Sequence, residues 1–290
     1  MANRRVLVKR RKSIRNIRKI TRTMQLIATA RFQASFNRAV AARPFTEKLA
    51  ELVADLARAG GGLDHPLLKT RNPAAPAAVI VISSSRGLCG GYNSGILRTA
   101  LGFLEERQAS GASSEVTVFG KKGIAYFRFI KQPFIEPTAL ISEAPRFDQV
   151  APIANSLIQR FLDGEISAVY VTYMRFLSAS RQRPETIQLL PLTPTVAAEG
   201  NRPKAVDYEF LPEPGALLDD LLPAVARVQL FQAFLDATVS EHISRMVAMK
   251  AATEASEEMI KTLSRQYNRA RQTQITMELL DIVGGANALA

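Results

Sequence analysis

Residues 225–270 read VARVQLFQAFLDATVSEHISRMVAMKAATEASEEMIKTLSRQYNRA, and this stretch decides the fold. The positions Val225, Val228, Gln232, Leu235, Val239, His242, Met246, Met249, Thr253, Ser256, Ile260, Leu263, Tyr267 and Ala270 alternate steps of three and four. Ten of the fourteen are apolar, which marks a helical seam about six heptads long. Pro223 is the last proline and suits a first helical turn or a local kink, and no glycine stands between Gly215 and Gly284. At about 1.5 Å per residue, residues 224–283 would span roughly 90 Å. A globular core has no room for such a helix, so it needs a partner of similar length.

The chain supplies a candidate near its start. Proline is absent before Pro44 and glycine before Gly60. Ile14, Ile17, Thr21, Met24 and Ala28 follow helical spacing, with Ile20 and Ile27 widening the stripe, and Leu49, Leu52, Val53 and Leu56 continue it. Pro44 is expected to bend this helix rather than end it. The expected fold is therefore α/β: a long antiparallel two-helix coiled coil formed by both chain ends, with an inserted Rossmann-like α/β domain. Thr21, Gln232, Thr253 and Ser256 weaken the seam, so part of its stability is expected from outside contacts.

Between the two helices the pattern changes. Residues 63–77 are rich in proline, and then the apolar run AAVIVIS at 77–83 reads as a buried strand. Helices are expected at 93–107, 121–129 and 147–162, and strands at 115–119, 166–173 and, as an edge, 185–190. Alternating short strands and helices argue for a sheet with helices on both faces. The division is 1–58 N-terminal helix, 59–76 linker, 77–205 α/β domain, 206–222 foot segment with the start of the last helix, and 223–290 C-terminal helix.

The charge is uneven. The chain of 290 residues carries a formal net charge of +12, and residues 1–38 hold twelve basic residues and no acidic one. The remaining 26 basic residues are balanced by 26 acidic ones. That first segment must face something acidic: nucleic acid, an anionic membrane or an acidic protein cavity. A mitochondrial transit peptide would have the same composition, but the helical pattern runs on past any cleavage point. A secretory signal and a transmembrane helix are not expected, because no long apolar run is present.

Chemistry-bearing motifs are sparse. One cysteine and two histidines exclude an intrachain disulfide and a Cys-based zinc site. The segment SSSRGLCGGYN at 83–93 follows a strand and precedes a helix, a context that suits phosphate. Its glycine spacing fits no nucleotide fingerprint, however, and neither does Gly120-Lys121-Lys122-Gly123. A sharply folded turn is the simpler reading. Cys89 as a nucleophile lacks an obvious base and reads as a small buried hydrophobe. No catalytic residue, cofactor or metal is expected. The basic segment 1–31 contains no aromatic residue, so it offers no stacking platform for single-stranded nucleic acid.

Three sets of residues carry a family resemblance. They are SIRNIRKITRTM at 13–24, RGLCGGYN at 86–93, and the C-terminal series SEHISRMVAMKAAT at 240–253, YNRARQ at 267–272 and IVGGA at 282–286. In this order they span nearly the whole chain, and the chain resembles the gamma subunit of the F-type ATP synthase, in its bacterial form. The resemblance implies a central rotor shaft without an active site of its own. It implies one copy per complex, with alpha, beta and epsilon subunits and a membrane c-ring as partners and no nucleic acid. It implies a peripheral position on the cytoplasmic face of the inner membrane. Arg18, Lys19, Arg22, Met24, Arg86, Arg271 and Gln272 match residues that meet beta subunits, and Tyr208 and Glu209 match the foot that meets the c-ring or epsilon.

Two departures matter. Ser85 stands where relatives carry Asp, which removes an ion pair from Arg86, and the dithiol insert of chloroplast forms is missing. The competing function is a basic coiled-coil protein that binds nucleic acid. A third class, an enzyme using Cys89, predicts activity lost in Cys89→Ala.

Overall fold

A computed structural model describes residues 4–59, 65–69, 72–137, 141–192 and 214–289. The first helix, α1, runs Arg4–Ala59 and passes Pro44 without ending; the last, α5, runs Pro214–Leu289 and likewise contains Pro223. The chain divides into two compact units, Met1–Ala30 with Arg245–Ala290, and Arg31–Ser244.

In the first unit α1 and α5 meet along a stripe. Arg11 stacks over the Tyr267 ring at 4.9 Å, Arg18 pairs with Glu257 at 3.4 Å, and Thr253 Oγ1 lies 2.8 Å from Thr21 Oγ1. Numbers that rise on one helix fall on the other, so the contact is antiparallel and coiled-coil-like. The seven expected seam positions from Met249 to Ala270 are all buried or half-buried.

The expected stripe on α1 holds at Ile14, Thr21, Met24 and Ala28 and is corrected at three isoleucines. Ile17, Ile20 and Ile27 are exposed by 43%, 58% and 50%. The buried or half-buried positions on this part of α1 are Leu7, Arg11, Ile14, Thr21, Met24, Gln25 and Ala28. Expectation and structure share positions 14, 21, 24 and 28. The remaining seam positions are filled by polar side chains whose stems pack while their tips reach outward or stack, as Arg11 does on Tyr267.

The seam's hydroxyl pair makes a measurable prediction. Thr253 Oγ1 is also 2.8 Å from the Met249 carbonyl, and Thr21 Oγ1 donates to the Arg18 carbonyl at 3.1 Å. Each hydroxyl thus keeps a backbone partner if the other is lost. Thr21→Val or Thr253→Val alone should cost about 1 kcal/mol, and the double variant less than the sum of the two. Urea unfolding of the three variants checks this; strict additivity would mean the pair is not coupled.

The second unit holds a four-stranded sheet. Its strands are β1 (Ala77–Ile82), β2 (Ser114–Phe119), β3 (Val169–Ser178) and β4 (Arg181–Leu190), in the order β2-β1-β3-β4. β1 is parallel to β2 and β3, whereas β4 is an antiparallel edge strand. β1 is buried at all six positions, which is why it reads as an unbroken apolar run. Ala78, Ile80 and Ile82 join a core with α4 (Phe147–Leu162) and α5, around Phe161, Leu222 and Phe234. Val79 and Val81 join a second core with α2 (Tyr92–Ala109) and α3 (Lys121–Phe129), around Ile96 and Phe127. Phe127 and Phe161 are fully buried, and each such side chain contributes about 1.5–3 kcal/mol. Phe32 and Phe36 of α1 pack on Phe176 of β3, with ring centres 6.3 and 5.8 Å away.

Two strands run further than expected. β3 extends to Ser178, and β4 begins at Arg181 and carries Pro184, which an edge strand tolerates. Tyr173 on β3 donates to Glu185 at 3.3 Å. Burial, then the charges of Glu185 and Asp236, push its phenol well above the ordinary tyrosine value. The group therefore supports the fold at neutral pH, and that support fades only at strongly alkaline pH, as the raised value is approached. Along α5 no residue from Leu221 to Ser244 is exposed, whereas every residue from Arg271 to Asn287 is.

Candidate functional site

The basic stretch of α1 forms a groove wall in the first unit. Arg18, Lys19, Arg22 and Thr23 line it from one side, Thr253 and Glu257 from the other. The Arg18–Glu257 pair is about half exposed on both sides, so its worth is under about 1 kcal/mol and both groups stay available. Arg22 donates to Gln25 at 3.2 Å, and Met24 is half-buried beside the seam. Arg271 and Gln272 lie fourteen and fifteen residues beyond Glu257 of this groove, on the exposed end of α5. That end also exposes Ile275, Met277, Leu279, Leu280, Ile282 and Val283. Apolar side chains repeated on an exposed helix call for a surrounding partner.

Arg86 belongs to the second unit, in the turn between β1 and α2. The turn is tightly built. Asn93 Oδ1 accepts from the Ser84 backbone N–H at 3.0 Å, Asn93 Nδ2 reaches Ser84 Oγ at 2.8 Å and Cys89 Sγ at 3.3 Å, and Ser84 Oγ donates to the Arg86 carbonyl at 2.7 Å. Leu88 and Gly90 take positive φ, 63° and 57°. Tyr92 donates to the Ala237 carbonyl of α5 at 3.0 Å, which ties the turn to the long helix. The turn ends β1 beside the start of α3. There Ser83 Oγ donates to the Phe119 carbonyl at 2.7 Å and accepts from the Gly123 N–H at 2.9 Å. Both glycine-bearing segments thus serve close packing.

The side chain of Arg86 pairs with Glu143, Nε to Oε1 at 2.6 Å, and the other oxygen of Glu143 meets Arg31. The ion pair expected to be missing beside Ser85 is therefore supplied from elsewhere in the chain. Arg86 and Glu143 stand at the rim of a cleft of about 500 Å³ at the carboxyl ends of β1 and β2. Sequence reasoning missed Glu143 and Arg31. Glu143 sits in a non-periodic stretch before α4, and no local signal marks a contact across 57 positions.

Cys89 is buried, and among the described residues its polar neighbours are Ser84, Asn93 and the Arg86 carbonyl. Among the described residues no group of three or more His, Cys, Asp or Glu side chains is placed to hold a metal ion. Among them, too, no helix is long and apolar enough to cross a membrane. Tyr208 and Glu209 lie outside the described residues.

The chain thus combines a two-helix seam made by its ends, an inserted α/β sheet unit and basic side chains presented outward. A family model described as ATP synthase matches residues 3–289. The ATP synthase gamma chain of Rhodopirellula baltica is 44% identical over 298 residues, covering 100% of this chain and 99% of the relative. That of Leptospira biflexa is 38% identical over 291 residues, with both chains fully covered. The chain belongs to the ATP synthase gamma-chain family. Among solved structures, a rotor chain of the Euglena gracilis mitochondrial ATP synthase matches with TM-score 0.63 and 17% identity, over 94% of this chain and 98% of that one. A chain of the Tetrahymena thermophila central stalk and c-ring matches with TM-score 0.54 and 21% identity, over 80% and 99%. At these identities the likeness concerns the fold.

Proposed function

We infer that the chain is the central rotor shaft of a bacterial F-type ATP synthase, turning inside the alternating alpha-beta hexamer and coupling ion flow through the membrane c-ring to ATP synthesis or hydrolysis. The observation that carries this reading, beside family membership, is the wholly exposed helix 271–287 with its repeated apolar side chains. An apolar sleeve in the hexamer would cover them. Residues 1–58 and 223–290 then form an antiparallel coiled coil, 77–205 a Rossmann-like body, 59–76 a linker and 206–222 the foot. The parallel order β2-β1-β3 supports the Rossmann-like description.

In this reading Arg18, Lys19, Arg22, Met24, Arg86, Arg271 and Gln272 contact beta subunits, and Tyr208 and Glu209 contact the c-ring or epsilon. The shaft makes different contacts with each beta subunit in turn. Rotation therefore shifts each one among states of different nucleotide affinity, by differential contact energy alone. Exposed basic side chains suit such contacts, because they guide acidic loops without forming a deep lock that would impede stepping. The subunit is peripheral to the cytoplasmic face of the membrane and needs no cofactor.

Reconstitution tests the reading. One copy should assemble with alpha and beta subunits and raise their ATP hydrolysis. Failure to join that assembly, together with salt-sensitive binding to DNA or RNA, would instead favour the nucleic-acid reading, which family membership does not support.

A further inference from the structure

The β3–β4 hairpin outruns the sheet that carries it. β1 pairs with β3 only as far as Val81 and Thr172, whereas β3 continues for six residues more, to Ser178, with β4 beside it. At about 3.3 Å per residue that is an arm of roughly 20 Å. β3 is parallel to β1, so the arm points the same way as the end of β1, where the turn 83–93 begins. Phe176 packs the arm on Phe32 and Phe36 of α1, and Ser240 of α5 donates to the Met174 carbonyl at 3.1 Å. Its root is therefore anchored.

The charge on the arm is one-sided. Residues 169–190 carry Arg175, Arg181 and Arg183 against a single acid, Glu185. Arg175 and Arg183 stand directly opposite each other in the ladder, a placement that costs stability between like charges. Glu185, whose side chain is only 11% exposed, receives Arg175 on Oε1 at 3.2 Å and Arg183 on Oε2 at 2.8 Å. One carboxylate leaves two guanidiniums with a net positive charge, and their side chains stay 50% and 61% exposed. Each keeps donor edges that Glu185 does not use. Arg181 is exposed and forms no ion pair among the described residues.

We propose that this arm is a docking surface for an acidic segment of a beta subunit, which Arg181 and the outer edges of Arg175 and Arg183 receive. The proposal rests on the rotor reading, in which the turn at the same end of the sheet meets a beta subunit, and it extends that contact to a second element. Arginines on an edge strand also discourage pairing with other chains, so the test separates the two roles.

The full chain is reconstituted with alpha and beta subunits. Arg181→Gln combined with Arg183→Gln should lower ATP-driven turnover about threefold at low salt, the size exposed charge contacts support. The loss should fade at about 0.5 M salt, where exposed charges are screened, and the thermal midpoint of the complex should not move. Arg181→Lys combined with Arg183→Lys should keep most of the turnover. Arg181→Cys carrying a photoactivatable cross-linker should join the arm to beta, since Cys89 is buried and does not compete for the label. A loss equal at both salts, a matching fall in midpoint, or self-association of the glutamine variant would overturn the proposal in favour of a fold-supporting or edge-guarding role. Cross-links to alpha alone, or none, would overturn it too. If the unmodified chain assembles and the glutamine variant turns over as fast, the proposal alone falls. If the unmodified chain does not assemble, the rotor reading falls and takes the proposal with it.

Discussion

Replacing Arg271 and Gln272 together by alanine is expected to lower ATP-driven turnover of the assembled complex by tenfold or more, with the fold of the chain intact. Both side chains are exposed and outside the helix–helix seam, so the subunit's own stability does not depend on them. Hydrogen bonds to a charged group are worth about 1.5–3 kcal/mol, and 1.4 kcal/mol is about tenfold in rate. Deleting the residues after Val283 gives the contrasting result. That tail, GGANALA, carries no charged side chain, so it supplies little directional bonding, and rotation should persist. Single-molecule rotation of the two variants separates them. Unchanged turnover in the double variant would discredit the assigned contact, and complete arrest in the truncation with assembly intact would discredit the bearing description of the tip.

Gly120→Ala is expected to destabilise the α/β unit by about 3 kcal/mol, a fall of roughly 6–12 °C in the unfolding midpoint. Gly120 has φ +93°, a conformation strained for any residue with a Cβ. A Cβ there would lie 2.2 Å from the carbonyl oxygen of Ser83 and 2.6 Å from its carbonyl carbon. Both are backbone atoms at the end of β1, and they cannot yield without moving the turn that carries Arg86. Gly102→Ala is the control. It lies inside α2 with nothing within 4 Å of the added methyl, and it should stabilise by about 0.5–1 kcal/mol. Thermal unfolding of both variants checks the pair; similar midpoints would mean the turn relaxes at little cost.

Periodicity revealed much of the fold because burial follows it. All fourteen seam positions of α5 are buried or half-buried, and β1 is enclosed as its apolar run implies. Three isoleucines of the α1 stripe depart from that rule for a physical reason. Apolarity marks any face that meets something, and Ile17, Ile20 and Ile27 face outward while Arg11 and Gln25 pack inward through their stems. The first half of β4 escaped notice because RQRP lacks the alternation of a strand; only its pairing with β3 makes it one. At the candidate site, the basic groove and Arg86 were visible in the sequence as charge and motif. The carboxylate that pairs with Arg86 was not, because electrostatic partners across a folded domain leave no local pattern.

The passage of α5 from full enclosure at 221–244 to full exposure at 271–287 has a bearing on assembly. Along those seventeen residues the described lining comes from Arg4, Arg5 and Leu7 of α1, beside residues 273–281, and helix with so little packing is marginal in water and frays readily at its end. The tip of the free subunit would thus be pliant when it enters the hexamer and stiffen only once enclosed, so the bearing finishes making its own axle.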